Sequence, residues 1–467
     1  PGRNQMHGDF SRLTFAREKH YSAVLSQQGR VLLDADANEQ AAILLHYLRT
    51  LATDLIGPAA GPRDQAGFGI TVAAPPNQLP DLTIGAGRYY VAGLLCENEA
   101  LDEQGQPGDV RYYRQPDAFF DRENADDRLP DPPFLVYLKV WERHITALED
   151  PAIREVALGE NGPDTATRTK IVWQVLAADH VPGAARLAAG VTKAEVLQQW
   201  AAWEQARQAA DRGLLKARGR QPDALDVSPC ITDPSASFRG AENQLYRVEI
   251  HTGGAAGAAT FKWSRDNGTV TFPIDTFAGD EVTLLSLGRD SRLTLEAGDW
   301  VEIVDDATVL RGAPAPLQRV NDVDPLDRRV TLAGPVATIA GHNSALHPFL
   351  RRWDQQQGAV RRGDLALGPD NALTIVETTT GADGWLDLED GVQLQFQPGG
   401  NYRSGDYWLI PARTSTGDVE WPGSAAQPFA RPPAGIAYAY APLALVTGLG
   451  PNETDDLRNQ FDHLPYL

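Results

Sequence analysis

At 467 residues, with 42 % hydrophobic and 22 % charged, the chain is too long for one ordinary core, and about two to four domains are expected. A net charge of −20 excludes nucleic-acid binding as a primary role, because a phosphate backbone would be repelled rather than neutralised. No apolar run approaches the ~18 residues of a membrane span, and no apolar core follows the first charges as in a secretory leader. Synthesis in the cytoplasm without a signal peptide is therefore expected, as a free protein or as part of a cell-associated or released particle. The five residues before Met6, the only methionine, read as a cloning scar with a native start at Met6. Two cysteines, Cys96 and Cys230, form no CxxC pair, and spacing does not say whether they bond to each other.

Along the chain, residues 6–57 read as an extended segment followed by a helix. Tyr21–Leu33 suggests two extended pieces around Gln28-Gly29. Asp36 with Glu39 suggests a capping box, and Gly57-Pro58 a stop. Leu44, Leu48, Leu51 and Leu55, at steps of 4, 3 and 4, share one face and form a candidate docking or oligomerisation surface. Residues 81–180 read as a β domain, with strands at Arg88–Leu95, Phe134–Trp141 and Lys170–Leu176. A helical insertion is expected within 181–228, over 192–218. Thr192 and Glu195 form its capping box, and Val196, Trp200, Trp203 and Leu214 its apolar stripe.

Residues 229–290 return to β pattern. Leu245–Ile250 alternates, with Tyr246, Val248 and Ile250 on one face and Arg247 and Glu249 on the other. Thr260–Phe272 reads as a hairpin turning at Asn267-Gly268. Over 291–340, short runs at Leu293–Leu295, Trp300–Val304, Leu317–Val323 and Arg329–Leu332 predict a small SH3- or OB-like barrel. Residues 341–467 read as a C-terminal β domain and tail of sandwich or jelly-roll type, with strands at Val392–Phe396 and Tyr407–Ile410. The fold class is thus mainly β and multidomain, a small barrel plus sandwich-like regions, with an N-terminal helix and a helical insertion.

No catalytic, metal or cofactor motif stands out. Asp34, Asp36 and Asn38 alternate like the start of a calcium loop, but the required Gly and Glu are replaced by Glu39 and Leu45. Asp305-Asp306 and the run Asp387, Glu389, Asp390 carry the carboxylates of acid–base chemistry, yet each sits where a solvated turn is expected. His342 and His347 make a weak metal pair. Trp353, Trp385, Tyr402, Tyr407, Trp408 and Trp421 crowd the last third of the chain and read either as β core or as a carbohydrate or partner surface.

Several long phrases are more specific. They are KHYSAVLSQQGRVLLDADANEQ (Lys19–Gln40), GAENQLYRVEIH (Gly240–His251), FKWSRDNGTVTF (Phe261–Phe272), GDWVEIVDDATVLR (Gly298–Arg311), RRWD (Arg351–Asp354), LEDGV (Leu388–Val392), GGNYRSGDYWLIP (Gly399–Pro411), GDVEWP (Gly417–Pro422) and YAPL (Tyr440–Leu443). Across roughly residues 8–447 the chain resembles a family of functionally uncharacterised bacterial proteins associated with phage-tail-like contractile injection systems and their baseplates. That resemblance implies a structural or attachment component with tail-particle or baseplate proteins as partners, offers no catalytic residue to carry over, and leaves self-association as a further expectation. The alternative is a carbohydrate-binding or carbohydrate-active protein contacting a surface glycan. Similar sequences often carry His-His before the Tyr-Ala-Pro-Leu phrase. Tyr438-Ala439 stands there instead, so no metal role transfers.

Overall fold

Alternating strands bury one face and short apolar runs bury both, so the number of strands covered on both sides decides how many layers the molecule has. The structure is a computed structural model describing residues 6–73, 79–99, 101, 110–159, 162–208, 212–221, 237–288, 290, 292–335, 340–355, 366–377, 384–450 and 452–462. It is mainly β, and the three largest cores among the described residues organise it.

The first core lies between small sheets. One runs in the order Thr454–Asp456, Ala439–Val446, Phe134–Ile145, Arg168–Ala178, and a second in the order Gln460–Phe461, Ala59–Pro62, Gly87–Val91, Leu94–Asn98. Between them pack Phe68, Tyr89, Cys96, Phe134, Leu138 and Trp173. Burial pushes the Cys96 thiol up to about 12, so it is held as an inert apolar group. Cys230 lies outside the described residues. The run Arg88–Leu95 is two strands rather than one. Ala92 and Gly93 both take positive φ, 49° and 77°, and this reverses the chain mid-phrase.

The second core is a sandwich. One sheet orders Leu373–Thr374, Thr260–Ser264, Gln244–Ile250, Tyr407–Arg413 and Asp418–Val419; the other orders Leu386–Asp387, Val392–Gln397 and Leu214–Gly219. Tyr246, Phe261, Trp263, Leu394, Phe396 and Trp408 fill the space between. The third core is a closed barrel of Thr271–Ala278, Glu281–Leu284, Arg329–Leu332, Leu317–Asp324, Trp300–Val304 and Phe349–Trp353, in that order around the ring. It draws strands from well outside 291–340, and Leu293–Leu295 contributes no strand.

The expected domain boundaries are crossed by long-range ladders. Tyr407–Arg413 pairs with Gln244–Ile250, and Ala439–Val446 pairs with Phe134–Ile145, so the C-terminal third is shared between two modules rather than forming its own domain. Asn267 and Gly268 have the expected positive φ values of 53° and 66°, but the strands on either side do not pair. The turn passes the chain from sandwich to barrel instead of closing a hairpin.

Helix α1 (Asp34–Ile56) begins two residues before Asp36, at an N-cap, Leu33, with no side-chain cap. Its first turn is secured from a distance instead: Ser11 donates through N and Oγ to Asp34 at 3.0 and 2.6 Å, and Thr14 donates to Glu39 at 2.5 Å. Glu39 is therefore a clamp for the preceding strap and not half of a capping box. Tyr21–Leu33 runs alongside without joining any sheet. Helix α2 (Lys193–Gln208) does carry its box: Glu195 accepts from the Thr192 N–H at 2.8 Å and Thr192 Oγ1 accepts from the Glu195 N–H at 3.4 Å. Val196 and Trp200 bury against Leu135, Val181 and Leu445. Leu214 is not on this helix; it opens the strand paired with Val392–Gln397. No described helix is long and apolar enough to cross a membrane.

Candidate functional site

Two features stand apart from ordinary core and surface: a buried lattice of charges beside a cavity, and the bare face of α1.

The lattice forms where the outer face of the sandwich meets the barrel. On Gln244–Ile250, Tyr246, Val248 and Ile250 enter the sandwich core as alternation predicts. Arg247 and Glu249, expected to face water, are buried as well, because the barrel covers that side. Glu249 pairs across the ladder with Lys262, and Glu302 on the barrel pairs with Arg351. Lys262 joins the two ladders, with Nζ 3.3 Å from Glu249 and donating to Glu302. Arg247 donates through Nε to Glu249 at 2.6 Å and lies 3.7 Å over the Tyr407 ring. Trp353 donates through Nε1 to Glu302 at 2.9 Å, under the Lys262 ammonium. Asn267, positioned by its left-handed backbone, accepts from Arg247 and donates to the carbonyls of Met6 and Gly8. These bonds draw the start of the chain into the lattice, where His7 Nε2 sits 3.2 Å from Glu249.

A cavity of about 1250 Å³ opens beside these groups, between the barrel, the sandwich and the first module. His144, His251, Arg143, Glu149 and Tyr438 also line it. Arg143 binds Asp306, whose other oxygen lies 2.7 Å from His347 Nδ1, and so ties the first module to helix α3 (Asp306–Arg311) of the barrel. Burial pushes His144 and His251 down to about 4, assisted by the positive charge of Arg351 on the first and of Lys262 on the second. Burial, followed by Arg247 and Arg351, holds His7 well below its usual range. Burial alone would raise Glu249 and Glu302. The flanking cations outweigh it, Arg247 and Lys262 for the first and Lys262 and Arg351 for the second, and both carboxylates stay ionised. Neither can donate a proton at neutral pH, and neither is free to accept one from a substrate without breaking an ion pair.

The other sequence candidates are dispersed. Trp353, Trp385, Tyr402, Tyr407 and Trp408 are buried, and Trp421 is half-buried against the sandwich. These aromatics are core and junction, not a carbohydrate-facing surface. Packing between two sheets consumes the rings that a sugar would need exposed. Asp305 caps α3 by accepting from the Thr308 N–H at 2.8 Å, and Asp387 accepts from Gln393 at 2.6 Å. Glu389 is less bland than a solvated turn: it lies 2.8 Å from Arg265 and takes a hydrogen bond from the Tyr246 hydroxyl, while burial pushes it up to about 7. His342 stacks on Phe277 at 4.4 Å, well separated in role from His347 on Asp306. Among the described residues no three acidic, histidine or cysteine side chains are grouped to hold a metal ion.

A family model described as a family of unknown function (DUF6519) matches residues 6–217 and 201–452. The chain belongs to that family. No curated protein and no solved structure matches. Of this lattice the sequence marks only Arg247 and Glu249, as the charged face of Leu245–Ile250, and gives no role to Lys262, Glu302 or Arg351. All five lie in phrases quoted above, Gly240–His251, Phe261–Phe272, Gly298–Arg311 and Arg351–Asp354. The available signal was a charge at an alternate position in each of four adjacent strand phrases.

The second feature is α1. Leu44, Leu48, Leu51 and Leu55 are brought together on one face and are 54 %, 62 %, 56 % and 71 % exposed. Only Ala35 and Ile43 of this 23-residue helix are buried. Arg49 fixes it to the first module through two bonds to Glu142, at 2.8 and 2.6 Å.

Proposed function

We propose that this protein is a non-catalytic structural or attachment component of a phage-tail-like contractile particle, docked through the leucine face of α1. The observation that carries the proposal is that face: four leucines at helical spacing left in water, on a helix already anchored from its other side by Arg49 and Ile43. Leu25, Val31 and Leu32 of the preceding strap are also more than four-fifths exposed. Patches of this kind mark interaction surfaces. The charge lattice supports the structural reading. Its carboxylates are saturated by cations, so it serves to hold the sandwich, the barrel and the start of the chain in one register. The resemblance to tail-associated proteins supplies the kind of particle.

The test is composition. Contractile particles purified from the producing cells contain the chain in amounts stoichiometric with a baseplate or tube protein, and a Leu48→Glu/Leu51→Glu variant, folded but unable to dock, is missing from them. Particles of normal composition that lack the wild-type chain would overturn the proposal.

A further inference from the structure

The leucine face is part of a longer and stricter pattern. Ala37, Ala41, Leu44, Leu48, Leu51 and Leu55 follow steps of 4, 3, 4, 3 and 4, and all six are exposed. A surface helix of a globular protein shows a broad apolar stripe, whereas a narrow seam repeating every 3.5 residues is what a second helix packs into. The rest of α1 is already occupied. Glu39 holds Thr14, Gln40 accepts from the Val24 N–H at 2.7 Å, His46 packs against the Phe15 ring, and the turn at Gly93 lies against the Arg49 backbone. None of these described contacts covers the seam.

We infer that the seam pairs with the same seam of a second copy of this chain, antiparallel, about a two-fold axis near His46. This inference rests on the reading of α1 as a docking element and names its occupant: the leucine face holds two copies together, and the chain enters the particle as that pair. The residue sizes argue for this pairing. In the antiparallel register Leu44 meets Leu48 of the second copy, Ala41 meets its Leu51, and Ala37 meets its Leu55. Small faces large in the outer layers, and leucine faces leucine at the centre, so the interhelix spacing stays even. A parallel pair would stack alanine on alanine at one end and leucine on leucine at the other, splaying the helices. The flanks agree: Leu45 and Tyr47, both exposed, meet their own copies across the axis, so apolar faces apolar there. The exposed apolar side chains of α1 itself, Leu44, Leu45, Tyr47, Leu48, Leu51 and Leu55, supply on the order of several hundred Å² toward the roughly 800 Å² per partner of a stable interface.

Light scattering and sedimentation on the full chain test this. The expected mass is twice 50.7 kDa, falling to one chain in Leu48→Glu/Leu51→Glu with the melting curve unchanged. Orientation is read by oxidising a mixture of two differently tagged variants in a Cys230→Ser background. Ala41→Cys and Leu51→Cys chains cross-link to each other when antiparallel, and each to itself when parallel. A monomer at every concentration overturns the inference, as does a dimer untouched by the double glutamate variant or cross-linked only in the parallel sense. A monomer that still enters particles through the leucine face overturns self-pairing and leaves the docking reading standing. A dimer absent from particles leaves self-pairing standing and overturns the particle reading.

Discussion

Lys262 touches both buried carboxylates, so replacing it tests what the lattice contributes. In Lys262→Met the stem volume is kept and the charge removed, leaving Glu249 with Arg247, and Glu302 with the Trp353 Nε1–H and the more distant charge of Arg351, 3.7 Å away. The three side chains are 3 %, 4 % and 6 % exposed at the wall of the cavity, so a stranded carboxylate there is solvated far less than one on the surface. Breaking a buried pair from one side costs about 3–5 kcal/mol, chiefly from the stranded charge. With a denaturant slope of about 2–3 kcal/mol per molar, the urea midpoint of the junction falls by roughly 1–2 M, read by tryptophan fluorescence. The loss depends on pH with a definite sign. In the wild type both carboxylates are depressed, so their contribution is present above the unfolded value near 4.3 and is lost as pH falls. In the variant burial dominates at Glu302 and raises its pKa above the unfolded value, so stability is lost as pH rises through that raised value. The destabilisation is therefore larger at pH 8 than at pH 5, and adding Glu302→Gln restores more than half of it. A loss below about 1 kcal/mol at pH 8, or one independent of pH, would refute the lattice as a net stabilising junction.

The imidazoles make the opposite end of the pH scale informative. His144 and His251, folded near 4 and unfolded near 6.5, contribute stability that is complete above about pH 6.5 and is lost as pH falls toward 4, roughly 2–3 kcal/mol for each ring. Unfolding curves between pH 7 and 4 should show this, and His144→Gln should flatten part of the slope; an unchanged slope would exclude His144 as a buried neutral ring. Glu389 has the reverse sign, since its folded value near 7 lies above the unfolded one: its contribution is complete below about 4 and lost as pH rises through 7. Glu389→Gln should therefore stabilise at pH 8 by about 1–2 kcal/mol and do little at pH 4, and a loss of stability at pH 8 would show that the Arg265 contact outweighs burial.

Local rules made several elements readable. Steps of 4 and 3 placed the α1 leucines on one face, Thr192 and Glu195 marked the start of α2, and Asn267-Gly268 marked a left-handed turn, because each depends on residues within one or two turns of chain. Function-bearing detail was legible only in part for the same reason. Asp36 and Glu39 satisfy the spacing of a capping box, but Ser11 and Thr14 arrive from more than twenty residues away and claim Asp34 and Glu39 instead.

What sequence alone determined is a mainly β chain of several modules, acidic, with a helix whose apolar seam has a fixed period. What only the tertiary structure decided is which faces are covered. Arg247 and Glu249 alternate with apolar neighbours just as solvent-facing residues do, and Trp408 alternates just as a binding-surface aromatic does. The difference lies in the strands packed across the sheet from them, from residues 300–304, 349–353 and 392–397. Side-chain direction along a strand is local and repeats every two residues, but burial is set by what packs across the sheet, and that is contributed by segments distant in the chain.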